Sequence, residues 1–176
     1  MAIASVVLII RLFCKGALDA PTAAERHALI TARIRPVDGV SCVTYGTGTM
    51  YYIACTLEQP RDMAPGDGVR MSAALGDADV VVAAFDTSGN YRWHRTLGST
   101  GNDRMVNTIA NTGKLYVHCS FAAAPVIAHG SHSVPLPVPA AESIATFDST
   151  GALLWIRTVQ DLKADTTARW PFPPFQ

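Results

Sequence analysis

The chain has little charge and no excess of either sign. Fourteen Lys and Arg balance fourteen Asp and Glu among 176 residues, and charged residues make up only 16% of the chain. No basic run is present, so bulk charge draws it neither to nucleic acid nor to an acidic membrane. Equally, no net charge keeps copies of the chain apart. Cysteine is scarce: Cys14, Cys42, Cys55 and Cys119 form no CxxC pair, which excludes a zinc ribbon and a thioredoxin-type motif. There is no P-loop, GxGxxG or GxSxG, and no Ser-His-Asp set assembles from the sequence. No cofactor and no catalytic residue are expected. The apolar run from Ala2 to Ile10 stops at Arg11, short of the roughly 20 residues that span a bilayer.

Apolar residues, by contrast, are half the chain (49%), with thirteen Gly and eleven Pro. That composition excludes a disordered chain and favours strands joined by turns. The strongest pattern is a repeat. Asp79–Leu97, DVVVAAFDTSGNYRWHRTL, returns as Glu142–Val159, ESIATFDSTGALLWIRTV. Phe85, Asp86, Gly89, Trp93, Arg95 and Thr96 recur as Phe147, Asp148, Gly151, Trp155, Arg157 and Thr158, a constant 62 positions later. A second echo precedes each copy: Tyr52, Ile53 and Cys55 correspond to Tyr116, Val117 and Cys119.

These echoes divide the chain. Residues 1–36 hold the apolar run, which reads as a weak secretory signal or anchor, or as a strand. They also hold a Thr22–Glu25 capping-box pattern that predicts a short helix over 21–35, against a competing strand, ALITARI. Residues 37–97 form a first unit of four short antiparallel strands with an irregular insert at 58–78. Residues 98–160 form a second unit with a second irregular insert at 122–141. Residues 161–176 are a Pro-rich tail. Cys42, Cys55 and Cys119 fall in apolar strand-like runs and read as buried thiols, with a Cys42–Cys55 bridge as the alternative in an oxidising compartment.

The chemistry of the repeated residues is that of turns and cores. Asp86-Thr-Ser-Gly89 and Asp148-Ser-Thr-Gly151 fit a type I turn in which Asp accepts backbone N–H bonds and Gly takes positive φ. The competing reading, a Ca²⁺ loop, has one carboxylate per turn for a cation that takes about 6–8 oxygens. Trp93 and Trp155 read as core anchors packed between units rather than as ligand-stacking rings. Arg95 and Arg157 either pair with acidic groups or face water. His129 and His132 lie in the second insert as solvated loop residues, or as two members of a metal site that needs three or four ligands. His118 and His94 lie on strands and are candidates to face a ligand.

Residues 85–121 resemble the bacterial-type SBBP (seven-bladed β-propeller) repeats. Asp86, Gly89, Trp93, Gly98, Gly101, Asp103, Gly113, Tyr116 and Val117 stand where that pattern asks. The second copy keeps Asp148, Gly151 and Trp155. The resemblance implies an all-β fold of two four-stranded antiparallel propeller-type blades and a secreted or surface protein. It implies a fold far more than an activity. The expected function is non-catalytic binding of a protein or glycan, with the inserts carrying specificity. The alternatives are a piece of a propeller enzyme, hydrolase or quinoprotein-like, whose catalytic residues lie elsewhere, and a divergent fragment with no function of its own. A closed propeller needs about 4–8 blades, so self-association is a further expectation. A membrane partner follows only if the N-terminal run is an anchor.

Overall fold

The computed structural model describes residues 42–46, 50–64, 70–111 and 113–165. The expected helix over 21–35, the apolar run and the WPFPPF tail lie outside the described residues. Ten strands and one short helix follow in order: β1 (Cys42–Gly46), β2 (Met50–Leu57), β3 (Asp79–Asp86), β4 (Tyr91–Gly98), β5 (Arg104–Asn111), β6 (Lys114–Ser120), β7 (Val126–His129), β8 (His132–Pro135), β9 (Glu142–Asp148), β10 (Leu153–Thr158) and α1 (Val159–Ala164). All strand pairings are antiparallel. The chain is thus mostly β, as its composition predicts.

Two sheets result, ordered β1-β2-β3-β4-β7-β8 and β10-β9-β6-β5. The described residues close neither a barrel nor a ring of sheets. One expectation is corrected here. The 122–141 insert is not irregular: it folds as the β7–β8 hairpin, and β7 pairs with β4, so the first sheet has six strands rather than four. Pro and Ala masked the strand signal, but Gly130 takes positive φ (59°) and turns His129 back onto His132. The expected bridge partners Cys42 and Cys55 do stand opposite each other between β1 and β2. Only the backbone of Cys42 is described. Cys119 is fully buried, and its thiol is pushed up by burial and by Asp103.

The sheets stack through a shared core. Tyr52, Val80, Val82, Ala84, Trp93 and Leu97 of the first sheet meet Leu115, Val117, Ala145, Phe147 and Ile156 of the second. β3 reads DVVVAAFD because it is buried on both faces, the pattern of a central strand. Its other face builds a second cluster with Ile53, Cys55, Leu57, Met63 and Phe85. Phe85 and Phe147 occupy equivalent places and are both buried. Each buried ring of this kind contributes about 2–3 kcal/mol of transfer free energy.

The crossover between sheets is held by buried polar groups. Asp103 Oδ1 accepts from Ser99 Oγ at 2.8 Å and from the Ala122 N–H at 2.7 Å, and its Oδ2 accepts from the Ser99 N–H. Gly76 lies where a Cβ would meet the carbonyl oxygens of Ser99 and Gly101 at 2.4 Å, so no other residue fits. Helix α1 was not expected from the sequence. Its signal was Thr158-x-x-Asp161: the Thr158 hydroxyl oxygen accepts the Asp161 N–H at 3.0 Å and its O–H donates to the Asp161 carboxylate.

Candidate functional site: a cationic cleft on the edge of β4

The repeated hairpins place the candidate residues. In each, Asp accepts backbone N–H groups two and four residues on: Ser88 and Asn90 for Asp86, Thr150 and Ala152 for Asp148. Gly89 and Gly151 take φ of 82° and 81°. The N–H of each Gly also donates to the carbonyl of its Asp. These are Asx-type turns, and the residues chosen are those that make them. Both hairpins carry a bulge at the same register, beside Arg92 in β4 and beside Leu154 in β10. Partial burial pushes the Asp86 carboxyl up. Bonds from the Asn90 side chain and the Asn90 and Ser88 N–H groups, with Arg92 beside it, outweigh that and hold it below the usual range. The Thr150 hydroxyl, followed by the Ala152, Thr150 and Gly151 N–H groups, holds Asp148 low against partial burial.

Trp93 binds the two sheets together. Its indole N–H donates to the Ser149 carbonyl, 2.9 Å away in the second unit's turn, and its ring centroid lies 6.1 Å from Phe147 and 6.0 Å from Tyr52. Trp155 keeps the companion contact, with Tyr116 at 6.3 Å, but is only half-buried beside α1.

The open part of the site lies along β4. β7 pairs with β4 only at Thr96, Leu97 and Gly98. Tyr91–Arg95 therefore form a free edge among the described residues. A cleft of about 670 Å³ opens there, lined by Arg70, Met71, Tyr91, Arg92, Trp93, His94, Arg95, His129, Gly130 and Thr150. Both inserts reach it, the first through Arg70 and the second through His129. Among the described residues the lining holds three arginines and two histidines and no carboxylate.

The hydrogen bonds set its chemistry. Arg95 Nη1 donates to the His94 carbonyl at 2.7 Å and to His129 Nδ1 at 3.0 Å, while its guanidinium lies 5.8 Å from the Trp93 ring. Tyr91 Oη lies 2.8 Å from His94 Nδ1. Burial, then His129 and Arg95, pushes His94 below its ordinary value, which favours its neutral form. The two groups share a hydrogen bond whose direction follows the His94 tautomer. Arg92 is paired with Asp86 at 2.8 Å, but among the described residues no carboxylate lies within 4 Å of the guanidinium of Arg70 or Arg95; Asp62 takes the backbone N–H of Arg70 at 2.9 Å. Unpaired, half-desolvated guanidinium is a ready partner for an oxyanion.

Of the histidines singled out in the sequence, the cleft gathers His129 and His94. His132 is exposed on β8 outside the lining. His118 lies on the second sheet, buried, with Nε2 3.4 Å from Glu142 Oε2; burial pushes it down and Glu142 opposes that. It faces no common cavity with the others. Among the described residues no group of three His, Cys, Asp or Glu is placed to hold a metal ion. Sequence reasoning missed Arg70, Tyr91 and Arg92, because their meeting depends on the insert folding back to β4. No family model, no curated protein and no solved structure matches the chain.

Proposed function

We propose that the chain is a non-catalytic, β-propeller-type repeat module that binds a protein or glycan partner in the β4-edge cleft. The observation that carries this reading is the back-to-front stacking of two equivalent sheets. The face of the first sheet bearing Tyr52 and Trp93 packs on the face of the second bearing Val117 and Phe147. Residues equivalent to Val117 and Phe147, namely Ile53 and Phe85, lie on the opposite face of the first sheet. Neighbouring propeller blades stack in this order, and the SBBP-like Trp93 sits at the contact, against Ser149, Gly151 and Phe147. Loops carried on such a scaffold are where binding variation is tolerated, and here both inserts line one cleft.

Self-association is the second reading, because the face of the second sheet that would carry a further blade, covered in part by α1, holds half-buried Tyr116 and Trp155. The test is an array of glycans and peptides probed with the full chain, with product analysis of every ligand and solution mass by light scattering. Saturable binding without turnover is the expected result. Hydrolysis of a bound ligand would instead favour the propeller-enzyme alternative, and absence of any binding would remove the module reading.

A further inference from the structure

Three arginines and two histidines converge on the β4-edge cleft. Three features decide what fits it. First, the described lining is rich in donors and holds no carboxylate, and the carboxylates beside it are engaged, Asp86 by Arg92 and Asp62 by the Ala64 and Arg70 N–H groups, which favours a ligand that brings negative oxygens. Second, both hydrogen bonds of Arg95 leave from Nη1, so its Nε and Nη2 hydrogens have no acceptor among the described residues. The Trp93 ring below and the His129 ring beside it fix the plane of the head group. A fixed guanidinium edge of this kind matches a carboxylate, sulfate or phosphate with two parallel bonds. Third, the edge of β4 is closed to an added strand. Arg95 Nη1 already occupies the His94 carbonyl, and the Gly130 turn of the β7–β8 hairpin stands where a strand in line with β7 would continue. An extended peptide thus meets a partly blocked edge and loses some of the main-chain bonds that would hold it, whereas a sugar ring needs none.

From these we infer that the cleft recognises an acidic glycan, its carboxylate or sulfate held by Arg95 and Arg70 and its ring against Tyr91. This rests on the binding-module reading and names its ligand class. Arg92 is the less available cation, being held by Asp86. The cleft is wide enough for more than one sugar unit by volume.

The experiment is calorimetric titration of the full chain with four probes: a uronate oligosaccharide, a sulfated oligosaccharide, a neutral oligosaccharide of equal length, and a poly-glutamate peptide. Inorganic phosphate is a fifth, to separate a bare anion site from a glycan site. The expected result is binding of one or both acidic sugars, at least tenfold tighter than the neutral sugar, the peptide or phosphate. Arg95→Ala should weaken it tenfold or more, Arg70→Ala several-fold, and Arg104→Ala, on β5 outside the cleft, not at all. Arg95→Lys, which keeps charge but loses the fork, should recover only part. Thermal melts of each variant check that it is folded. Equal binding of the neutral sugar overturns the acidic assignment while leaving the module reading intact. Tighter binding of the peptide or phosphate overturns the glycan assignment, as does an Arg95→Ala chain that is folded and binds normally.

Discussion

The two hairpins β3–β4 and β9–β10 carry the same residues and live in different surroundings. Each has an Asp-x-x-Gly turn, a bulge at one register and a Trp two residues beyond the strand start. In the first, Trp93 is 5% exposed, bonds Ser149 across the sheets and packs on Phe147. In the second, Trp155 meets no further sheet among the described residues and rests half-buried against Tyr116 near α1. The arginines part in the same way. Arg95 is drawn into a cleft beside His129, while Arg157 pairs with Asp165 at 3.0 Å. Identical local sequence therefore sets the hairpin, and the neighbour sets what its side chains do.

The sharpest way to break this comparison is to remove each Trp. Trp93→Ala should cost about 3–5 kcal/mol, the range for deleting a large buried aromatic. Trp155→Ala should cost about 1 kcal/mol, because a half-exposed ring loses less. Urea unfolding of the two variants measures the difference; equal losses would falsify the assignment of Trp93 as the inter-sheet anchor.

A smaller effect separates two glycines with the same backbone. A Cβ at Gly151 would lie 2.5 Å from Trp93 Cδ2, at φ 81°, whereas one at Gly113, φ 75°, would meet nothing within 4 Å. Gly113→Ala should cost about 1 kcal/mol for the left-handed conformation alone. Gly151→Ala should cost roughly 2–4 kcal/mol, since overpacking against the indole adds to it. Indole fluorescence during unfolding reads both the midpoint and the displaced ring.

The smallest effect is in acid. Asp86 and Asp148 are held low by their turns, so their contribution is present above the ordinary carboxylate range and is lost as pH falls through their folded pKa values. Asp79 has the opposite sign. Burial, with Asp103 nearby, pushes it up against the Leu75 and Gly76 N–H bonds, so its ionisation weakens the fold and acidification towards the unfolded value relieves it. Asp86→Asn with Asp148→Asn should flatten the loss of stability below about pH 4, while Asp79→Asn should remove the relief that acidification brings at this site. Its Oδ1 is buried with no hydrogen-bond partner, and an amide there removes the charge while the Leu75 bond to Oδ2 at 2.8 Å can be kept. Unfolding curves at several pH values check both signs.

Much of the fold was legible because it is local. The Asp86–Gly89 and Asp148–Gly151 turns, the β3 and β9 strands and the alternation of β2 and β6 are written in side-chain period and turn chemistry. The capping box at Thr158 was equally legible and went unread. The cleft was not legible, because its parts come from residues 70, 91–95, 129 and 150, and nothing in a linear pattern brings them together.

The sequence by itself determined where the chain turns, which strands pair as hairpins, and that net charge is zero. These depend on backbone preferences and on neighbours a few residues apart. Only the tertiary structure decided that the β7–β8 hairpin extends the first sheet, that Trp93 is buried while Trp155 is half-open, and that the arginines gather on one edge. Those outcomes depend on which surfaces meet across 30–60 residues of chain, as Trp93 meets Ser149 and Arg95 meets His129, and a repeated motif carries no record of its neighbour.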